Sequence, residues 1–204
     1  MNKNVYGADM SAHFDNMENE ILSVCGVKYR LIRLLGKGKG GYSYLAIRAE
    51  QEYDAATNTH GPDMGGNHTV VLKQIHHEKC EYYTFGNKIE AEKRDYATLC
   101  GAGIRMPRMI AIDEENERIV KEYIHGRTVA ELVEKDGKID PRILAQGQKM
   151  ADLARAAGLN IDYYPTNFVT DEEGVLYYVD YECNRFMEEW SFENWGIKYW
   201  MPNG

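Results

Sequence analysis

A chain of 204 residues that is 44% hydrophobic and 27% charged has room for one domain or two small ones, and its composition is globular rather than disordered. Its net charge of −8 comes from acidic and basic residues interleaved along the chain, without the basic stripe that nucleic-acid binding needs. No apolar run approaches the roughly 20 residues that span a bilayer, and the polar, acidic stretch from Met1 to Glu20 argues against a secretory signal.

Residues 1–20 read as a flexible leader. Val27 to Leu35 and Tyr42 to Ile47 are strand-like, and the glycine-rich tip between them, Gly36 to Gly41, predicts a hairpin. Residues 49–68 lack periodicity and carry turn formers, so an exposed loop is expected. Thr69 to Ile75 is a β-branched run and a third strand. His76, His77, Glu78 and Cys80 follow it closely, but in no common zinc spacing, so a solvated strand end is expected there rather than a metal site. Cys25, Cys80, Cys100 and Cys183 form no Cys-x-x-Cys pair, which points to a reduced, cytoplasmic chain.

From about Asn87 to Cys100 the pattern turns helical, with Ile89, Glu92, Tyr96 and Leu99 on one stripe and Gly103 as a stop. Met109 to Ile112 and Arg118 to Ile124 read as strands around a turn at Asp113 to Asn116. A short helix is predicted over Thr128 to Glu134. Asp140-Pro141 opens a longer one, with an acidic cap, proline in the first position and an end at Gly158. After the loop Asp162 to Asn167, a second hairpin pairs Phe168-Val169 with Val175 to Val179, turning through Asp171 to Gly174. The organisation expected is therefore a leader, a β-rich region over 21–122 containing one main helix, and a mainly helical region over 123–204. The aromatic tail, Trp190, Phe192, Trp195, Tyr199 and Trp200, is read as core packing, with an exposed site for a partner protein as the alternative.

Three places carry chemistry. Gly36, Gly38 and Gly41 satisfy a Gly-x-Gly-x-x-Gly pattern. A strand follows it rather than a helix, and no Lys-Ser or Lys-Thr ends it, so dinucleotide and Walker-type loops are excluded. A hairpin lid whose backbone N–H groups approach phosphates remains, beside a plain glycine-rich turn. Lys73 lies in the apolar run VVLKQI, where it either points outward or meets a partner. Glu92, on the buried stripe of the helix, needs a cation, because an unpaired buried carboxylate is costly; Lys73 is the nearest strand lysine. Finally, Asp162, Asn167 and Asp180 bring two carboxylates and an amide close together, which suits orienting a hydroxyl while holding Mg²⁺ on a nucleoside triphosphate.

The order of these parts, from LGKGKGGYSYLA through VVLK, the helix glutamate, IVKEYI and Asp-x-x-Pro-x-Asn to Asp180-Tyr181-Glu182, resembles the protein-kinase-like superfamily. In size it is similar to the RIO-type kinases and the small kinase of the KEOPS complex. The resemblance implies a bilobal α+β fold, an antiparallel N-lobe sheet with one main helix, and a truncated, mainly helical C-lobe. It implies that Gly36, Gly38 and Gly41 cover ATP and that Lys73, held by Glu92, contacts its α- and β-phosphates. The backbone of Glu122 and Ile124 would hydrogen-bond adenine, Asp162 would orient the acceptor hydroxyl, and Asn167 with Asp180 would hold Mg²⁺. The implied activity is transfer of the γ-phosphate to a protein serine or threonine, or to the chain itself. A small-molecule acceptor is the alternative, since Asp-Tyr-Glu is similar to the motif of aminoglycoside and choline phosphotransferases. A nucleotide-binding pseudokinase or regulatory ATPase is the other. Asn160 and Tyr164 stand where kinases usually carry histidine and lysine, and only 24 residues follow Asp180, too few for a conventional peptide-docking platform.

Overall fold

The computed structural model describes residues 17–49, 69–77 and 86–202. The leader up to residue 16, the loop at 50–68, and Glu78 and Cys80 lie outside the described residues. The chain is mixed α and β, with every strand pair antiparallel. It divides into two units, residues 1–89 with 108–123 and residues 90–107 with 124–204. Most of the predicted first helix therefore belongs to the second unit.

The first unit is a six-stranded sheet of β1 (Ile21–Val24), β2 (Val27–Lys37), β3 (Gly41–Arg48), β4 (Thr69–Ile75), β5 (Met109–Asp113) and β6 (Arg118–Glu122), in the order β1-β2-β3-β4-β6-β5. Alternation puts Tyr29 and Leu31 of β2, Tyr42, Tyr44 and Ala46 of β3, and Leu72 and Val120 into one buried cluster. Ile75, Ile89 and Ile119 form a second. β1 was not expected from the sequence. A two-residue turn joins it to β2, with Cys25 at φ 49° and Gly26 at φ 80°, the left-handed pair that matches the twist of a tight hairpin.

The second unit holds most of α1 (Lys88–Gly101), then α2 (Val129–Asp136), α3 (Pro141–Ala156) and the short α4 (Ile197–Trp200). Thr128 and Glu131 close a reciprocal capping box on α2, and Asp140 caps α3 ahead of its first-turn proline. Five short strands complete it: β7 (Gly126–Thr128), β9 (Phe168–Asp171) and β10 (Leu176–Tyr178) in one sheet, β8 (Leu159–Ile161) and β11 (Cys183–Arg185) in a ribbon. The core gathers Leu99, Val129, Met150, Ala154, Phe168 and Tyr178, and the tail adds Phe192 and Trp200. Trp200 packs so closely on α3 that a methyl on Gly147 would lie 2.7 Å from its ring. The tail thus packs into the core as expected at Phe192 and Trp200, while Trp190 is 48% exposed. No helix among the described residues is long and apolar enough to cross a membrane.

Candidate functional site

In the first unit the hairpin forms between β2 and β3, whose register runs to Lys37↔Tyr42. Gly38 N–H donates to the Gly41 carbonyl at 3.0 Å and closes the tip. The three motif glycines differ in what requires them. A methyl on Gly41 would sit 2.4 Å from the Gln74 carbonyl oxygen, so the close approach of β4 demands glycine there. At Gly36 and Gly38 the same methyl meets nothing within 4 Å. Two of the three positions therefore leave open space above the backbone, and Gly36 and Gly38 are themselves exposed.

The tip is also tied from below. His76, just past β4, places Nε2 3.0 Å from the Gly38 carbonyl, and since a carbonyl only accepts, Nε2 carries the proton. The ammonium of Lys88, the first residue of α1, donates to the Lys39 carbonyl at 2.9 Å and to the His76 carbonyl at 2.5 Å. Both side chains are buried. Neither is singled out by the sequence: the histidine belongs to an expected solvated strand end, which its burial corrects, and the lysine is one of 24 basic residues.

Lys73 is also buried, in β4, and Glu92 is half-buried on the part of α1 that belongs to the second unit. Glu122 ends β6; its N–H donates to the Arg108 carbonyl at 2.9 Å. Any adenine contact by Glu122 accordingly rests on its carbonyl, which suits the 6-amino group as a donor. Ile124 lies just beyond β6, half-buried.

In the second unit the β9–β10 hairpin brings two predicted residues together. Phe168 pairs with Tyr178, and one step further Val179 N–H donates to the Asn167 carbonyl at 2.8 Å. Asn167 is thus opposite Val179, the residue before Asp180, at the open end of one hairpin. Asp162 reaches the same place by another route. β8 ends at Ile161, which pairs with Cys183 of β11, so Asp162 and Glu182 leave the ribbon together. Asn167 Nδ2 donates to the Asp162 carbonyl at 3.4 Å, and Tyr164 N–H donates to Asp162 Oδ1 at 3.1 Å.

Tyr178 ties these segments together. Its ring is fully buried against Phe168. Its hydroxyl donates to the Glu182 carbonyl at 2.8 Å and accepts from Asp162 N–H at 3.3 Å. Burial, reinforced by the carboxylates of Asp180, Asp162 and Glu182, pushes the phenol well above its ordinary range. It therefore remains a neutral donor in the middle of an acidic loop cluster. Tyr181 anchors the other side, its hydroxyl donating to the Pro107 carbonyl at 2.7 Å and its ring tilted against that of Tyr96.

Asp180 and Asn167 carry oxygen donors of the hard kind that Mg²⁺ takes. Asp180 Oδ1 accepts from Tyr181 N–H at 2.9 Å, which orients the carboxylate, and the bond from Asn167 Nδ2 turns the amide oxygen the opposite way. One carboxylate and one amide oxygen are hard ligands, and Mg²⁺ on a nucleotide needs only one or two from the protein. Among the described residues no three His, Cys, Asp or Glu side chains gather as a metal cage.

Asn160 has a structural task. It is buried, with Nδ2 donating to the Trp190 carbonyl at 3.1 Å and Oδ1 accepting from Met187 N–H at 2.5 Å. Both ends of its amide hold the tail. Tyr164 is 45% exposed and meets Tyr199 edge to face. No family model matches the chain, and no characterised protein is significantly similar to it in sequence.

Proposed function

We propose that the chain is an ATP- and Mg²⁺-dependent phosphotransferase of the protein-kinase-like kind, delivering the γ-phosphate to a serine or threonine hydroxyl of a protein or of the chain itself. The observation that carries this reading is the Tyr178 hydroxyl, which accepts from the Asp162 N–H and lies within the field of the Asp180 and Asp162 carboxylates, with the Asn167 amide bonded to the Asp162 carbonyl. In the reaction the acceptor oxygen bonds to the γ-phosphorus, the bond to the bridging oxygen breaks, and ADP leaves. Asp162, exposed and held by the Tyr164 N–H, orients the acceptor hydroxyl and takes its proton. Asn167 and Asp180 would hold Mg²⁺, which when bound offsets charge on the phosphates. The open space over Gly36 and Gly38 and the buried position of Lys73 support nucleotide binding by the first unit.

The test is incubation with γ-labelled ATP and Mg²⁺, with and without cell lysate. Label on a protein acceptor is expected. Label only on amino alcohols, aminoglycosides or sugars would move the assignment to a small-molecule kinase. A second reading, a nucleotide sensor without transfer, is favoured by Asn160, whose amide is committed to the tail in the place where kinases usually carry histidine. It predicts thermal stabilisation by ATP with no labelled acceptor.

A further inference from the structure

The glycine tip is fastened through its carbonyls, and this decides where its amides point. In a planar trans peptide the C=O and the following N–H point in opposite directions, and the described residues contain no cis bond. His76 Nε2 takes the Gly38 carbonyl and Lys88 Nζ the Lys39 carbonyl. The N–H of Lys39 is therefore turned away from the His76 ring, and the N–H of Gly40 away from the Lys88 ammonium. Successive amides facing one way are a binding element for phosphate oxygens. Lys88 further fixes His76 by bonding its carbonyl, so the two ties form one assembly. A buried ammonium held by carbonyls contributes charge-assisted bonds, which are stronger than neutral ones.

We propose that Lys88 and His76 are positioning residues of the glycine hairpin: they hold the Gly38 and Lys39 carbonyls so that the Lys39 and Gly40 amides face the phosphates of a bound nucleotide. The proposal rests on the nucleotide-binding reading above. It goes beyond that reading by placing the control of phosphate affinity on two side chains that do not touch the ligand.

The experiment uses the full chain and compares the affinities of Mg·ATP and adenosine by calorimetry, together with amide hydrogen exchange over residues 36–43 without ligand. Lys88→Met and His76→Leu should each weaken ATP about tenfold, the loss of one charge-assisted or buried hydrogen bond, while leaving adenosine affinity unchanged. Both should speed exchange in the hairpin. His76→Gln, which keeps a donor, should restore ATP affinity. If Lys88→Met fails to fold, the His76 pair decides alone. Equal loss of ATP and adenosine, or no loss of either, overturns the positioning role while nucleotide binding by the unchanged chain stands. If the unchanged chain binds adenosine and ATP not at all, the functional reading fails and this proposal with it.

Discussion

The tip of the glycine hairpin of the first unit is exposed and is held by side chains that grip two carbonyls, whereas in the second unit the segments bearing Asp162 and Glu182 meet at the hydroxyl of the fully buried Tyr178. The first arrangement fixes the direction of a backbone segment yet leaves its outer face open. The second fixes where carboxylates emerge and leaves the carboxylates themselves to act. A segment that admits a ligand keeps one face open, and a centre that must hold its geometry ties its loops to one another. The difference can be broken from either side by single substitutions.

The largest effect is expected at Asp162. Asp162→Asn keeps the size of the side chain and the acceptor for Tyr164 N–H, but it cannot take a proton. Transfer from labelled ATP should fall by about 10³-fold, within the range of lost general-base catalysis. ATP affinity should stay the same. Undiminished transfer would remove Asp162 from the chemistry.

Next is Tyr178→Phe, which keeps the ring and deletes the hydroxyl. The Asp162 N–H and the Glu182 carbonyl would then both lose a buried partner, which costs about 1–3 kcal/mol for the groups left unsatisfied. Urea unfolding should report that loss. Transfer should fall while ATP affinity changes little, because the hairpin of the first unit is untouched. An unchanged stability would mean that the loops are held by the backbone alone.

The hairpin offers a matched pair of glycines. Gly41→Ala drives a methyl to 2.4 Å from the Gln74 carbonyl, so β3 and β4 must shift, at about 1–3 kcal/mol in keeping with overpacked sites. Gly38→Ala meets open space at an ordinary φ and should leave stability unchanged. If Gly38→Ala nonetheless weakens ATP binding, the space above it is used by the ligand. If both substitutions are silent, the tip is not packed as described.

How much of this could be read in advance follows the length and regularity of each element. β2, β3, β4, α1, the β5–β6 pair, α2, α3 and the β9–β10 hairpin all carry periodicity, caps or turn residues over enough positions to be recognised. That hairpin sets Asn167 opposite Val179, one residue before Asp180. The ribbon β8–β11, which brings Asp162 to Glu182, is made of two three-residue strands, too short for alternation to register. β1 and β7 escape for the same reason. Single residues are harder still. Nothing distinguishes Lys88 from the other lysines, or Asn160 from an ordinary polar residue, until the carbonyls they serve are known. Gly41 was legible as glycine-rich patterning, but the reason for it, a strand passing at van der Waals range, belongs to tertiary packing.

The smallest expected effect is a pH dependence on the alkaline side, and it separates the two regions again. Burial raises Tyr163 to about 12 and Cys183 to about 11, and lifts Tyr178 well above 10; all three lie in the second unit. An unfolded tyrosine ionises near 10 and a thiol near 9, while the folded chain keeps these protons. Between the two values the folded state binds more protons than the unfolded one, so stability falls as pH rises. The contribution is fully present below about pH 9 and is lost progressively above it. Among the described residues of the first unit, Tyr29 adds to this arm, pushed up by its own burial. Urea midpoints measured from pH 8 to 11 should therefore decline. Tyr178→Phe, which removes one of the displaced phenols, should lower the curve at pH 8 yet make its alkaline slope shallower. A substitution at the hairpin, such as Gly41→Ala, should lower the curve and leave the slope as it was. Parallel curves for all three proteins would show that the Tyr178 hydroxyl is not held in the dry, acidic surroundings that bind the loops of the second unit together.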